Sequence, residues 1–281
     1  MIPAFFHGAE VFGLAHLPGA SVGVVELASD PGASLRPTPE ELDGFKLTAM
    51  VYVVPPRRDD CERRVRTFVA HRELPLSAKG ALAAAALLDV KVAARFEQGV
   101  IATEVTRIPD RNGAAAWTLP VDRPVINGRP VEDRALAASA FGLDENDLAE
   151  GLPVQSVSCG WLSVLVPVGS PEALARAAIE AAQWQRVIEK AKPVYAVLFV
   201  PTREGPVPMR CLSPGVTEEV GTGIAGASVA AWLARFGVRP ADRTHTEIHQ
   251  GRARIHVELD GPVARVSGAA RVEGSVSLNL R

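Results

Sequence analysis

Valine-rich apolar runs alternate with turn signals along the whole chain. Residues 20–27 (ASVGVVEL), 48–55 (TAMVYVVP), 162–169 (LSVLVPVG) and 194–201 (VYAVLFVP) are short and apolar and are bounded by Pro, Gly or Asp. That pattern predicts buried strands. Two segments break it: 79–89 (KGALAAAALLD) and 223–237 (GIAGASVAAWLARFG) are long enough for helices and carry almost no polar face. A surface helix shows a polar side at a 3.6-residue period, whereas a helix apolar all round is enclosed on every side. Small side chains let the enclosing strands approach closely. Each segment therefore predicts a central helix wrapped by a curved, mostly antiparallel sheet. Residues 171–190 instead predict one exposed amphipathic helix, with Pro and Glu in its first turn and basic residues near its end. Short helical pieces at 135–141 and 145–150 are expected to connect the two halves.

These elements recur. The run at 48–55 returns about 146 residues later at 194–201, 20–27 returns at 162–169, and 66–76 (RTFVAHRELPL) returns at 210–220 (RCLSPGVTEEV), each copy followed by its small-residue helix. Four elements in one order at nearly constant spacing predict an α+β protein of two pseudo-symmetric lobes. The expected boundaries are 1–121 with 272–281 for the first lobe and 122–271 for the second. The active site is expected in the cleft between the lobes.

Composition narrows the partners. A net charge of −2 over 281 residues offers no basic footprint for nucleic acid. The longest near-continuous apolar stretch, 157–168, is too short to span a bilayer. The N-terminal stretch has no basic region ahead of its apolar residues, and Glu10 interrupts it, so a cytoplasmic protein without a signal peptide is expected. Three widely spaced cysteines, Cys61, Cys159 and Cys211, argue against a disulfide framework and against zinc. His245 and His249 stand four apart in an extended segment with no third ligand in view, so no metal is expected.

The candidate chemistry lies at the helix entrances. A buried helix still presents unpaired N–H groups and partial positive charge at its N-terminus, which suits a small carboxylate. The residues at these entrances are Ser77, Ala78, Lys79 and Gly80 in the first half, and Glu218, Glu219, Gly221, Thr222 and Gly223 in the second. A lysine at a helix N-terminus is electrostatically unfavourable and needs compensation by a substrate carboxylate or by Glu219. Ser77 is read chiefly as a helix cap, and Glu73 as an ion-pair partner of Arg66 or Arg72.

Several of these stretches resemble the phenazine-biosynthesis (PhzF-like) isomerases, which share a fold with diaminopimelate epimerase. GVTEEVGTGIAGASVAAWL resembles that family's EDPxTGSA segment, and RTFVAHRELPLSAKGALAAAALL its RxFxPxxELPLCGHATLAAA. PGASVGVVEL is similar to the opening GNPxAVV strand, VSCGWLSVLVPV to VSTGxPxLLVPV, and IHQG at 248–251 to a late QG. The resemblance implies a helix-in-sheet fold in each lobe, a homodimer, no cofactor, and a small-molecule carboxylate as substrate. It also places Cys159, read chiefly as a buried small residue, and Gly160 where relatives hold Thr-Gly near the substrate; His71, near the first helix entrance, is a candidate proton shuttle by its position in the sequence.

The chain departs from the family at the chemistry. Leu47 stands where the catalytic Glu of SETAFV belongs, Ser77-Ala78-Lys79 replaces Cys-Gly-His, and Glu219 replaces the Asp of EDP. The positions of the racemase thiols, near Ala83 and Val220, carry none. The resemblance therefore implies a cofactor-independent isomerase of secondary, antibiotic-type metabolism. Glu219 would move the proton; Lys79 would hold charge; Ser77, Gly80, Gly221, Thr222, Gly223, Cys159, Gly160 and His71 would line the substrate. An amino-acid racemase or epimerase, and a non-catalytic carboxylate-binding scaffold, are the other two readings.

Overall fold

A computed structural model describes residues 2–14, 16–32, 37, 39–69, 72–111, 113–126, 130–188, 195–213, 216–240, 242 and 244–280. The chain divides into two compact units: Met1–Val121 with Arg252–Ile255 and Arg265–Arg281, and Asp122–Gly251 with His256–Ala264.

The first unit contains β1 (Ile2–Val11), β2 (Ala20–Glu26), α1 (Pro39–Gly44), β3 (Ala49–Val54), β4 (Arg63–Val69), β5 (Arg72–Leu74), α2 (Ala78–Leu87), β6 (Ala93–Gln98), β7 (Ile101–Arg111) and β8 (Ala114–Asp122). β1 and β2 are antiparallel, and β2 and β3 are parallel from Val22 opposite Ala49 to Glu26 opposite Val53. A parallel pair needs a crossover connection, and α1 lies on it. β3–β4 and β4–β5 are antiparallel, β4–β6 is parallel, and β6–β7–β8 is a meander of antiparallel neighbours. Every residue of α2 from Ala78 to Ala85 is buried, as its lack of a polar face requires.

The second unit repeats this order. It contains β9 (Val125–Ile126), α3 (Arg134–Ser139), β10 (Gln155–Ser158), β11 (Leu162–Pro167), α4 (Pro171–Arg176), α5 (Ala181–Ile188), β12 (Tyr195–Phe199), β13 (Val207–Ser213), β14 (Val216–Glu219), α6 (Gly223–Arg235) and β15 (His245–Gln250). β10–β11 is antiparallel, β11–β12 parallel, β12–β13 and β13–β14 antiparallel, and β13–β15 parallel. That is the sequence of pairings from β1 to β6, with α6 in the place of α2. Gly223 to Leu233 of α6 are all buried. The last strands, β16 (Ala253–Asp260) and β17 (Val263–Leu280), contribute residues to both units.

Two expectations are corrected. The single helix over 171–190 is two, α4 and α5, because Ala177 adopts an extended backbone (ψ 132°). Tertiary bonds hold the break. The Arg210 guanidinium donates from Nη1 to the carbonyls of Leu174 (2.8 Å), Ala175 (3.0 Å) and Ala177 (2.8 Å). The N–H groups of Ala178 and Glu180 donate to Phe141 and Ala140. The short helices are not a connection between the halves either. Ala137, Phe141, Leu143 and Leu148 sit in one apolar cluster with Trp184 inside the second unit, because their apolar positions are worth more buried than bridging.

Close approach around α2 has a direct test. A Cβ built on Gly80 would stand 1.9 Å from the Thr67 hydroxyl oxygen and 3.2 Å from the Thr67 Cβ. Gly80→Ala is expected to destabilise the protein by about 1–3 kcal/mol, read as a lower urea midpoint. A midpoint at or above the wild-type value would show that β4 does not press on the helix.

Candidate functional site

At the α2 entrance Ser77 is a true N-cap. Its backbone is extended (φ −142°, ψ 111°), and its hydroxyl oxygen accepts the Gly80 N–H at 3.0 Å. The Ser77 N–H, which has no acceptor within the helix, donates to Gln98 Oε1 at 2.9 Å. Lys79 does not reach into solvent: it is 2% exposed, and its ammonium donates to Thr48 Oγ1 at 3.3 Å. Thr48 in turn donates to the Ser21 carbonyl at 2.8 Å. Leu47, next to Thr48, packs with Phe6 against the cluster of Val25, Leu42, Met50 and Phe68. Leu47 is thus an apolar side chain in apolar company.

Glu73 is structural, as expected. The Arg66 guanidinium grips it with two bonds of 2.8 Å and donates to Asp30 at 2.8 Å. Burial alone would raise the Asp30 carboxyl; the Gly32 N–H and the charges of Arg66 and Arg64 outweigh it and hold that group below its ordinary value.

The α6 entrance is built differently. Its N-cap, Thr222, makes no side-chain capping bond. Gln250 at the end of β15 takes over: its Oε1 accepts the Thr222 N–H at 2.9 Å, and its amide donates to the Glu219 carbonyl. Gly221 (φ 72°) makes the turn from β14 into α6, and Gly221, Thr222 and Gly223 are all buried. The two acidic residues before this turn have separate fates. Glu218 forms an ion pair with Arg210 at 2.8 Å and is partly exposed. Glu219 is 4% exposed and lies opposite Cys211 on β13. Successive side chains of a strand point to opposite faces, so the two carboxylates leave β14 on different sides, Glu219 into the interior and Glu218 toward Arg210.

Cys159 is buried, and its thiol donates to the Asp122 carbonyl at 3.6 Å. Burial first, then the charge of Asp122, pushes that thiol up to about 12. It remains protonated at neutral pH and supplies neither a base nor a nucleophile. Gly160 beside it is exposed with φ 75°. Cys211 is core. His71 lies outside the described residues. His249 Nε2 contacts Glu247 at 2.6 Å, and among the described residues no group of three or more His, Cys, Asp or Glu gathers as metal ligands. No helix among the described residues is long and apolar enough to cross a membrane.

A cavity of about 540 Å³ lies elsewhere in the second unit, against Ala231, Ala234 and Arg235 at the C-terminal end of α6, with Arg123 and Leu259. It is at the wrong end of the helix for Glu219. Two polar contributors were not foreseen from sequence: Thr48, which meets Lys79, and Gln98, whose role matches that of Gln250. The repeated Gln-Gly at 98–99 and 250–251 was the available signal.

The fold is α+β, with a small-residue helix enclosed by a sheet in each unit. The chain matches the PhzC-PhzF family (phenazine biosynthesis-like protein) over residues 10–275, so it belongs to that isomerase and epimerase family. It is 27% identical over 278 residues, 90% of this chain and 87% of the relative, to the Escherichia coli K12 protein named uncharacterized isomerase YddE. Among solved structures it is similar to the predicted epimerase PA4716 of Pseudomonas aeruginosa (TM-score 0.82, 23% identity, 99% of both chains). It is also similar to the Bacillus anthracis phenazine biosynthesis protein of the PhzF family (TM-score 0.76, 16% identity, 100% of both chains).

The Cys159 shift carries a stability prediction. The thiol loses its proton near 9.0 when unfolded and near 12 when folded. Between these values the unfolded state binds fewer protons, so stability falls as pH rises, by up to about 1.4 kcal/mol per pH unit. Cys159→Ala is expected to flatten the plot of unfolding free energy against pH in that window. An unchanged slope would show that Cys159 is not the group responsible.

Proposed function

We propose that this protein is a cofactor-independent isomerase that moves a proton, and with it a double bond, on a small carboxylate-bearing metabolite of secondary metabolism. The observation that carries this reading is Glu219: a buried carboxylate at the end of β14, one turn ahead of a helix whose own N-cap side chain leaves it uncapped. Membership of the PhzC-PhzF family supports the reaction class. In the proposed step, Glu219 takes a proton from carbon next to a conjugated system. The C–H electron pair moves into that system as enolate-like charge. The same carboxylic acid then returns the proton to a different carbon, so the product is an isomer and nothing is oxidised or reduced. Lys79 holds the carboxylate and the developing charge in this proposal, and Gly221, Thr222 and Gly223 line the substrate, the Thr222 N–H itself being engaged by Gln250. Ser77, Gly80, Cys159 and Gly160 are binding positions in this proposal. The family resemblance carries with it a homodimer working in the cytoplasm.

A second reading, a scaffold that binds a small carboxylate without turnover, is favoured by Leu47, whose side chain lies among apolar neighbours where relatives have a second carboxylate. The two readings separate in D2O. Unsaturated and chiral carboxylates are incubated with the protein and followed by NMR. Deuterium uptake with a double-bond shift is the expected result, and Glu219→Gln is expected to reduce the rate by at least about 100-fold. Exchange with inversion of a stereocentre would make the protein a racemase. A ligand that binds and never exchanges would make it a scaffold, and full activity in Glu219→Gln would remove Glu219 from the mechanism.

A further inference from the structure

Both helix entrances are held by a buried glutamine in the same way. Gln98 is the last residue of β6 and Gln250 the last of β15, and both strands pair in parallel with the strand that leads toward the entrance, β4 and β13. Each is followed by a glycine with a left-handed backbone, Gly99 (φ 56°) and Gly251 (φ 55°). Exposure is 1% for Gln98 and 0% for Gln250. Each Oε1 lies 2.9 Å from the N–H of the residue that begins the helix, Ser77 for α2 and Thr222 for α6. That N–H has no acceptor inside the helix and would otherwise be buried unpaired.

The two clamps differ in their other half. The Gln250 amide donates to the Glu219 carbonyl, so one side chain ties both ends of the 219–222 turn. The corresponding Gln98 amide nitrogen is buried without a hydrogen-bond partner among the described residues. The Gln250 clamp therefore ties the backbone on both sides of Gly221, from which the Glu219 side chain departs. The Gln98 clamp fixes the start of α2, two residues before Lys79. A glutamine suits this task because its amide accepts and donates at once without charge, which neither a carboxylate nor a methionine does.

We infer that Gln98 and Gln250 are matched positioning residues, and that Gln250 sets the place of the Glu219 carboxylate. This inference rests on the proposed role of Glu219. A misplacement of about 1 Å at a reacting group costs on the order of 100-fold in rate. Gln250→Met is accordingly expected to lower kcat by about 10- to 100-fold with KM little changed, and to move the acid limb of the pH–rate profile. Gln250→Glu keeps the acceptor and loses the donor, and should show the same loss, which keeps the test open if the methionine variant does not fold. Gln98→Met is expected to act mainly on KM through Lys79.

Amide hydrogen exchange by NMR tests the clamps independently of turnover. The Thr222 N–H should lose protection in Gln250→Met, and the Ser77 N–H in Gln98→Met. If folded Gln250 variants keep wild-type kcat and pH profile, or if protection at Thr222 is unchanged, the inference is overturned. If the wild-type protein turns over no carboxylate while both protections respond as expected, the proposed function fails and the clamps stand.

Discussion

A helix without a polar face has to be surrounded, and everything positioned in this protein follows from two such helices. α2 and α6 are rich in Ala and Gly, and around α2 the strands come close enough that the Thr67 hydroxyl fills the space a Gly80 Cβ would need. Enclosure also removes water from the helix N-termini. Their unpaired N–H groups then need partners supplied by the fold itself. In the first unit those partners are the Ser77 hydroxyl and Gln98; in the second they include Gln250 but not the side chain of Thr222. The demand to satisfy buried backbone thus gathers polar side chains at the start of each helix.

The repeat is symmetric in architecture and asymmetric in chemistry. The order of pairings from β1 to β6 returns from β10 to β15. The entrances do not match in charge. One has Lys79 buried against Thr48, beside a Leu47 that has joined an apolar cluster. The other has Glu219 buried at the end of a strand whose neighbouring residue, Glu218, is neutralised by Arg210. Arg210 has a second task in capping the carbonyls at the end of α4. One arginine therefore orders the helix pair ahead of β12 and keeps Glu218 engaged away from its buried neighbour.

Family membership and site chemistry are separate matters here. The PhzC-PhzF match and the high-coverage structural similarity concern the scaffold. The site residues are a separate question: Leu47 lies against an apolar cluster, while Glu219 is buried at the end of β14.

Much of this was legible in the sequence. The strand runs, the two apolar helices and their order follow from local hydrophobic period, which depends only on which face of an element must leave water. The family and the positions of Ser77, Lys79, Glu219 and Thr222 followed from motif spacing. Burial and partnership did not. Glu218 and Glu219 are identical side chains on adjacent residues, and the register of β14 against β13 decides which is inside. The break between α4 and α5 depends on Arg210, more than 30 residues away in the chain, and a 3.6-residue period cannot register it. Gln98 carries no local signal of its role, because a glutamine at a strand end is ordinarily solvated. Only the tertiary structure, by bringing β6 against the start of α2, turns it into the acceptor for Ser77. Local sequence determines what each segment is. Long-range packing decides which polar groups lose water and which partners they then find.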